Sequence, residues 1–111
     1  MRIIYATAVF MLLAGSTVLS AATYKGQKIY IESCKECHGG GQELAGSKKQ
    51  RTWEKLMENK GEKLADIHLS SKKATNSWEY FKSRTFTKNA RHIEDFLVEY
   101  ASDSGNVPAC N

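Results

Sequence analysis

Two cysteines and a histidine fall within five residues, in the segment Cys34-Lys35-Glu36-Cys37-His38. Two thiols at this spacing near a helix end can form thioether bonds with the two vinyl groups of a haem, and the adjacent imidazole then lies under the iron. A spacing longer or shorter by one residue would misplace that imidazole. This segment, called the CxxCH segment below, therefore predicts one covalently attached haem c held by Cys34, Cys37 and His38.

Three other kinds of site use similar residues, and the sequence supports each of them less. A thioredoxin-type thiol pair needs a preceding strand within a βαβ unit, and no such pattern is visible. A structural zinc ion needs a fourth ligand, for which His68, His92 and Cys110 are available but show no paired spacing. A disulfide between Cys34 and Cys37 would leave the adjacent histidine unexplained.

The first residues have the charge and hydropathy pattern of a secretory signal peptide. Arg2 is the only charged residue before Lys25, and the mostly apolar run between them gives way to small residues. Ser20, Ala21 and Ala22 place small residues at the positions that a signal peptidase reads. This predicts cleavage after Ala22, with Ala21 as the alternative, and so a signal at 1–22 and one mature domain at 23–111. The alternative is an uncleaved membrane anchor, since a membrane span needs about 20 uncharged residues. We expect export to the periplasm.

The mature chain is small and mildly basic. Cleavage leaves 89 of the 111 residues and lowers the net charge from +4 to +3. A chain of this length buries only about two thirds of its unfolded surface, so a bound apolar macrocycle would supplement its core. Lysines interleaved with glutamates are typical of a solvated surface, and we expect a monomer. No basic run is interleaved with aromatic residues, which argues against binding to nucleic acid.

Apolar periodicity predicts helices, because Val, Ile and Thr are too sparse and too poorly alternated for a β-sandwich. A first helix is expected over about residues 24–33. Its buried face comprises Gly26, Ile29, Tyr30, Ser33, Cys34 and Cys37. The glycine- and lysine-rich residues 39–50 are a predicted loop. Thr52 is the predicted cap of a second helix, which buries Trp53 and Met57 and ends before Gly61.

The second half of the chain has a polar stretch between two further predicted helices. Residues 70–75 are a predicted loop. Asn76, with a glutamate three residues on, is the predicted start of a short helix. Asn89 is the predicted cap of the last helix. The buried stripe of that helix comprises Ile93, Phe96, Leu97, Tyr100 and Ala101.

The predicted first helix carries a glycine and an aromatic residue (Gly26, Tyr30) and ends in the CxxCH segment, and the predicted last helix carries two aromatic residues (Phe96, Tyr100). This combination resembles the class I, or mono-haem, cytochrome c family. The resemblance covers most of the mature chain in helix order. It implies a small all-α fold of three to five helices around one covalently bound haem. In that family the first and last helices cross at the small residue, and the haem lies in a pocket beneath them.

The resemblance also assigns roles within the CxxCH segment. It implies that Cys34 and Cys37 carry thioether bonds and that His38 is the proximal iron ligand. Independently of the resemblance, we expect the aromatic residues Trp53, Trp78, Tyr80 and Phe81 to wall the haem pocket. One cysteine is left over near the end of the chain, Cys110, which predicts a free or intermolecularly paired thiol.

The sixth iron ligand is where the chain departs from the family, whose members usually supply a methionine from the loop before the last helix. Met57 is the only methionine of the mature chain, and its place on an apolar helix face is typical of a core side chain. His92 is expected at the surface, in the first turn of the last helix. His68 follows the second helix, in the region from which the family draws its distal ligand. We therefore expect His68 opposite His38, with Met57 as the alternative.

The ligand set decides the expected function. Two imidazoles favour a lower potential than a histidine–methionine pair. The resemblance then implies a one-electron carrier between respiratory redox partner proteins, in which no substrate is transformed. If no sixth ligand binds, the iron is open, and the alternative function is a haem subunit or sensor that binds a small ligand.

Overall fold

The computed structural model describes residues 18–106, with side chains from Thr23 onward, and every regular element in that range is helical. In chain order the elements are α1 (Val18–Ser33), α2 (Lys35–His38), α3 (Gly41–Ala45), α4 (Gln50–Leu56), α5 (Glu58–Leu69), a 3₁₀ helix (Lys72–Ser77), α6 (Trp78–Lys82) and α7 (Arg84–Glu99). The predicted all-α class is thus confirmed. The helices outnumber the expected three to five because α2, α3 and α6 are each only about one turn long.

The first helix begins earlier than predicted. Its backbone is helical from Val18, ahead of the predicted cleavage point after Ala22, because nothing in the sequence there stops a helix. Residues 1–17, which make up most of the predicted signal peptide, and Cys110 lie outside the described residues. Within the described part of the chain, no helix combines the length and the apolar character needed to cross a bilayer.

The core forms where α1 packs against α7. A Cβ atom added at Gly26 would collide with the carbonyl oxygen of His92 and lie 2.8 Å from Cβ of Phe96, so only glycine permits this close approach. Beside this contact the rings of Tyr30 and Phe96 pack with centroids 5.4 Å apart. The buried apolar residues are Ile29, Tyr30, Ala45, Trp53, Met57, Ala65, Phe86, Ala90, Ile93, Phe96, Leu97 and Ala101. Ser33, predicted on the buried face, is exposed because α1 there leaves the core for the rim of a cavity.

Tertiary contacts, rather than local sequence, order the segment between α2 and α4. The predicted loop at 39–50 contains α3, whose Ala45 is completely buried and accepts a hydrogen bond from Nε1 of Trp53 at 2.8 Å. Thr52, the predicted cap, lies inside α4. The amide of Gln50 at the start of α4 instead donates to Oδ1 of Asp103 at 2.8 Å, so a carboxylate distant in sequence satisfies that helix end.

The helix starts in the second half also differ from the predictions. Ser83 caps α7, and its hydroxyl oxygen accepts a hydrogen bond from the amide of Phe86 at 3.3 Å. Asn89, the predicted cap, therefore lies inside α7. The predicted loop at 70–75 is mostly 3₁₀ helix. Asn76, the predicted start of the next helix, lies inside this 3₁₀ helix, and α6 begins at Trp78 without a side-chain cap. The sequence missed the first turn of α7 because only Phe86 is buried there.

Candidate functional site

The CxxCH segment continues the helical path of α1 into α2. The amide of Cys34 donates to the carbonyl of Tyr30 at 2.8 Å, and the amide of His38 donates to the carbonyl of Cys34 at 3.0 Å. Gly39 then ends α2 with a φ of 72°, a conformation that favours glycine. The buried Tyr30 hydroxyl donates to the carbonyl of Gly39 at 2.7 Å, which ties the end of the segment to the core.

The three side chains of the segment differ in exposure and in protonation. Cys34 is half-buried, whereas Cys37 and His38 are exposed, and neither cysteine is in a disulfide. Burial, followed by the charge of Cys37, raises the pKa of Cys34 to about 11, so this thiol is protonated at neutral pH. Partial burial, followed by the electrostatic interaction with His68, lowers the pKa of His38. The His38 ring is therefore neutral at pH 7, the form that can bind a metal.

A cavity of about 450 Å³ lies beside the CxxCH segment and is lined by Cys34, Cys37 and His38. This volume falls within the range of about 300–1,000 Å³ that small-molecule pockets occupy. Most of the wall is apolar or aromatic, and these lining residues are Tyr30, Leu44, Trp53, Leu56, Leu64, Ile67, Ala74, Phe81, Ile93 and Leu97. The cavity can therefore receive an apolar group next to two thiols and an imidazole.

His68 lines the same cavity from the last turn of α5, and its ring centroid lies 5.8 Å from that of His38. Its Nδ1 lies 2.7 Å from the carbonyl oxygen of Leu64. Because a carbonyl only accepts hydrogen bonds, Nδ1 carries the proton, and Nε2 of the neutral ring keeps its lone pair. Histidines that bind metals generally make such a second hydrogen bond, which fixes the ring and its tautomer.

Two aromatic residues hold His68 in place. Its ring stacks on Phe81 with centroids 4.1 Å apart and an interplanar angle of 27°. Its carbonyl oxygen accepts a hydrogen bond from Nε1 of Trp78 at 2.8 Å. Contacts within the fold therefore fix both the imidazole and the backbone of His68.

The other two candidate ligands of the iron lie elsewhere. Met57 is 3% exposed, belongs to the core and does not line the cavity, as expected for a core side chain. His92 does not line the cavity either. It is half-buried rather than on the surface, because α7 begins at Arg84 and so places His92 against α1 instead of in the first turn. Its Nδ1 is buried without a hydrogen-bond partner.

Two of the four aromatic residues expected to wall a haem line this cavity. Trp53 and Phe81 line the cavity, whereas Trp78 and Tyr80 do not. Trp78 is instead occupied by its hydrogen bond to the backbone of α5, and Tyr80 packs edge-on against Phe81 and Phe86. Neither prediction could have been improved from periodicity, because α6 is too short for a repeating face to show.

Several lining residues were missed by sequence reasoning. Leu64 and Ile67 precede the predicted ligand His68 at a spacing of i, i+3 and i+4, which places all three on one helix face and could have revealed the two apolar residues. Leu44 and Lys48 come from a predicted loop, which carries no periodic signal. Lys73 and Ala74 come from the second predicted loop, and the 3₁₀ helix brings them to the cavity.

Two findings in the described residues concern the zinc and thiol sites that the sequence left open. Among residues 18–106 no three side chains of histidine, cysteine, aspartate or glutamate are grouped so that they could hold a metal ion. The same part of the chain has no strand ahead of Cys34, where a thioredoxin-type site would need one.

No family model, no curated protein and no solved structure matches the chain.

Proposed function

We propose that this protein is an exported mono-haem c-type cytochrome, which carries single electrons between respiratory redox partners and transforms no substrate. The observation that carries the proposal is that the CxxCH segment and His68 meet at one apolar cavity. The resemblance to class I cytochromes c supports it, and so does the close approach of α1 to α7 at Gly26. A motif alone would not bring a second imidazole to the same cavity.

The residues present fit a haem c. Cys34 and Cys37 would hold it through thioether bonds, and His38 would bind the iron. Metal–imidazole bonds are about 2 Å long, so two imidazoles that share one metal have ring centres roughly 6 Å apart. The ring centroids of His38 and His68 lie 5.8 Å apart, close to that separation. This distance, and the free Nε2 of His68, support His68 over the buried Met57 as the sixth ligand.

The chain contributes ligation, exclusion of water and access for partners. When bound, the haem supplies a one-electron Fe(III)/Fe(II) couple. The apolar wall formed by residues such as Phe81 and Leu97 keeps water from the site, and two imidazole ligands favour a lower potential than a histidine–methionine pair. Ile67 on the cavity lining is 56% exposed, and Cys37 and His38 are exposed as well. The site therefore opens to the surface, where a partner can approach.

The first experiment tests for the haem itself. The full chain, with its signal, is produced in a host that matures c-type cytochromes. We expect a c-type pyridine haemochrome spectrum and a mass larger than the polypeptide by one haem. A colourless product with the mass of the bare polypeptide would overturn the proposal.

The second experiment tests the sixth ligand. We expect the parent protein to be six-coordinate and low-spin, with a spectrum that carbon monoxide leaves unchanged. His68→Ala should become high-spin and bind carbon monoxide, whereas the control His92→Ala should keep the parent spectrum because His92 lies outside the cavity. If His68→Ala stays low-spin and Met57→Leu turns high-spin, the ligand is Met57. A parent protein that binds carbon monoxide readily would favour the alternative function, a haem sensor with open iron.

A further inference from the structure

The cavity is electrostatically one-sided. Two lysines, Lys48 and Lys73, are among its lining residues, and none of the described lining residues is an aspartate or a glutamate. The ion pairs recorded among residues 18–106 involve neither lysine. An apolar cavity with two unpaired cations at its edge is suited to an apolar ligand that carries two negative charges. A haem has this character, since its macrocycle is apolar and bears two carboxylates.

We propose that Lys48 and Lys73 bind the two carboxylates of the haem and thereby raise the reduction potential of the site. This inference rests on the proposed function and identifies which residues of the chain recognise the polar edge of the cofactor.

Lys48 is held at the cavity by contacts at both of its ends. The carbonyl oxygen of Lys48 accepts a hydrogen bond from the amide of Ser102 at 3.0 Å. Since Ser102 lies just past the end of α7, this bond anchors the backbone of Lys48 to that end of the helix. Its Nζ lies 5.9 Å from the ring centroid of Trp53, a buried residue that also lines the cavity. The attraction between an ammonium and an aromatic face keeps the charge beside the cavity.

Lys73 reaches the cavity from the 3₁₀ helix, together with Ala74, and Ser71 lines the cavity just before this helix. This element is connected to the candidate iron ligand, because the amide of Ser71 donates to the carbonyl of His68 at 3.1 Å. The two lysines therefore come from different parts of the chain. A pair of carboxylates bound between them would join the 3₁₀ helix to the segment before α4.

The sequence supplies a matched control for each lysine. Lys49 and Lys72 are the direct neighbours of Lys48 and Lys73, carry the same charge and are exposed, but they do not line the cavity. Replacing either pair by glutamine changes the net charge of the protein equally. A difference between the pairs can therefore come only from the positions of the charges.

The experiment measures the midpoint potential of the haem-loaded full chain in its Lys48→Gln, Lys73→Gln and doubly substituted forms. Removal of a nearby positive charge stabilises ferric over ferrous iron. At a fixed ambient potential we expect each single substitution to lower the ratio of reduced to oxidised protein about threefold. Lys49→Gln and Lys72→Gln should lower it by less than half as much, because solvent screens more distant charges. The double variant Lys48→Arg/Lys73→Arg keeps both charges and should retain the parent ratio.

A second measurement reports contact directly. A water-soluble carbodiimide converts a carboxylate into an O-acylisourea, and the amine of a lysine in contact with it displaces a urea to form an amide. The joined product is lighter by one water than the free carboxylate and amine together. We expect mass spectrometry to find the haem-bearing peptide joined to Lys48 or Lys73, and not to Lys49 or Lys72.

The outcomes separate the two proposals. A protein without haem contradicts the proposed function. A haem-loaded protein in which the lining and neighbouring lysines give equal shifts, with no crosslink at Lys48 or Lys73, overturns the lysine proposal alone. If the double glutamine variant fails to fold, the single variants, the arginine variant and the crosslink still decide the question.

Discussion

Tyr30 joins three parts of the molecule through one side chain. It is 1% exposed, its ring packs against Phe96 of α7, and its hydroxyl donates to the carbonyl of Gly39 just after α2. Burial is the main reason that its pKa rises to about 12, with the charge of Cys34 as a smaller cause. Since an unfolded tyrosine ionises near pH 10, the unfolded chain loses this proton first. Stability from Tyr30 is therefore complete below about pH 10 and falls as the pH rises towards 12.

Tyr30→Phe tests this residue in two ways. At pH 7 we expect a loss of about 1 kcal/mol in the free energy of unfolding, because the hydrogen bond to Gly39 disappears. Above pH 10 the variant should lose stability less steeply than the parent. Denaturant unfolding at pH 7 and at several values above pH 10 measures both effects. Tyr24→Phe is the control, since Tyr24 is 69% exposed, and a Tyr30→Phe slope as steep as that of Tyr24→Phe would contradict the argument.

The sequence identifies best those residues whose role depends on their own side chain or on their place in the chain. Gly26 was placed on the face towards the last helix, and the structure shows that any side chain there would meet α7. The position of His68 in the chain favours it over Met57 as the expected ligand, and His68 is the one of the two that lines the cavity. The exposure of Ser33 was not predictable, because it depends on where α1 stops contacting α7 and not on the local spacing.

Helix starts show the same limit at the level of elements. The apolar stripe of α7 becomes regular only from Ala90 onward, which made Asn89 look like a cap, although the helix starts six residues earlier, just after Ser83.

A side-chain cap can be distinguished from a mid-helix residue by substitution. Ser83→Ala should lower the free energy of unfolding by about 1 kcal/mol, because the amide of Phe86 loses its partner. Asn89→Ala should show no such loss in thermal unfolding, and the reverse order would mean that α7 begins near Asn89.

The junction of α4 and α5 contains three successive residues with left-handed backbone angles. Their φ values are 53° at Asn59, 58° at Lys60 and 79° at Gly61. Glycine is needed at the last position for a second reason, because a Cβ there would lie 2.6 Å from Cζ of Phe86. Lysine has no such freedom, so Lys60 is the strained member of the three.

Lys60→Gly should therefore stabilise the protein. Relief of the left-handed strain outweighs the greater flexibility of glycine in the unfolded chain, and we expect a gain of about 0.5–1 kcal/mol. Lys88→Gly, at an exposed position inside α7, should instead cost about 1 kcal/mol. Denaturant unfolding of both variants measures the contrast, and a loss of stability in both would show that Lys60 is not strained.

The cavity shows why a whole site is harder to predict than its motif. The CxxCH segment and the all-α class can be recognised from the spacing of nearby residues in the sequence. The structure accordingly has helices α1 and α2 on either side of Cys34. Leu44 and Lys48 enter the cavity from a segment that long-range contacts hold, among them the bond from Gln50 to Asp103. Lys73 depends in the same way on how the 3₁₀ helix joins α5. No periodicity marks these residues, since their positions are set by the packing of distant parts of the chain.

The same cavity makes stability depend on the cofactor in the proposed function. A space of about 450 Å³ with a mostly apolar wall adjoins the core. Unfilled apolar space is costly in small proteins. We therefore expect Cys34→Ala/Cys37→Ala, purified without haem, to melt about 10 °C or more below the haem-bearing parent and over a broader range.

The measurement is thermal unfolding followed by far-ultraviolet circular dichroism, with the absence of a Soret band checked first. Lys35→Ala, which changes a residue between the two cysteines but keeps both thiols and His38, should retain haem and melt close to the parent. If the haem-free variant melted within a few degrees of the parent, the fold would be complete without a ligand. The cavity would then be a surface cleft rather than a part of the core that the haem fills.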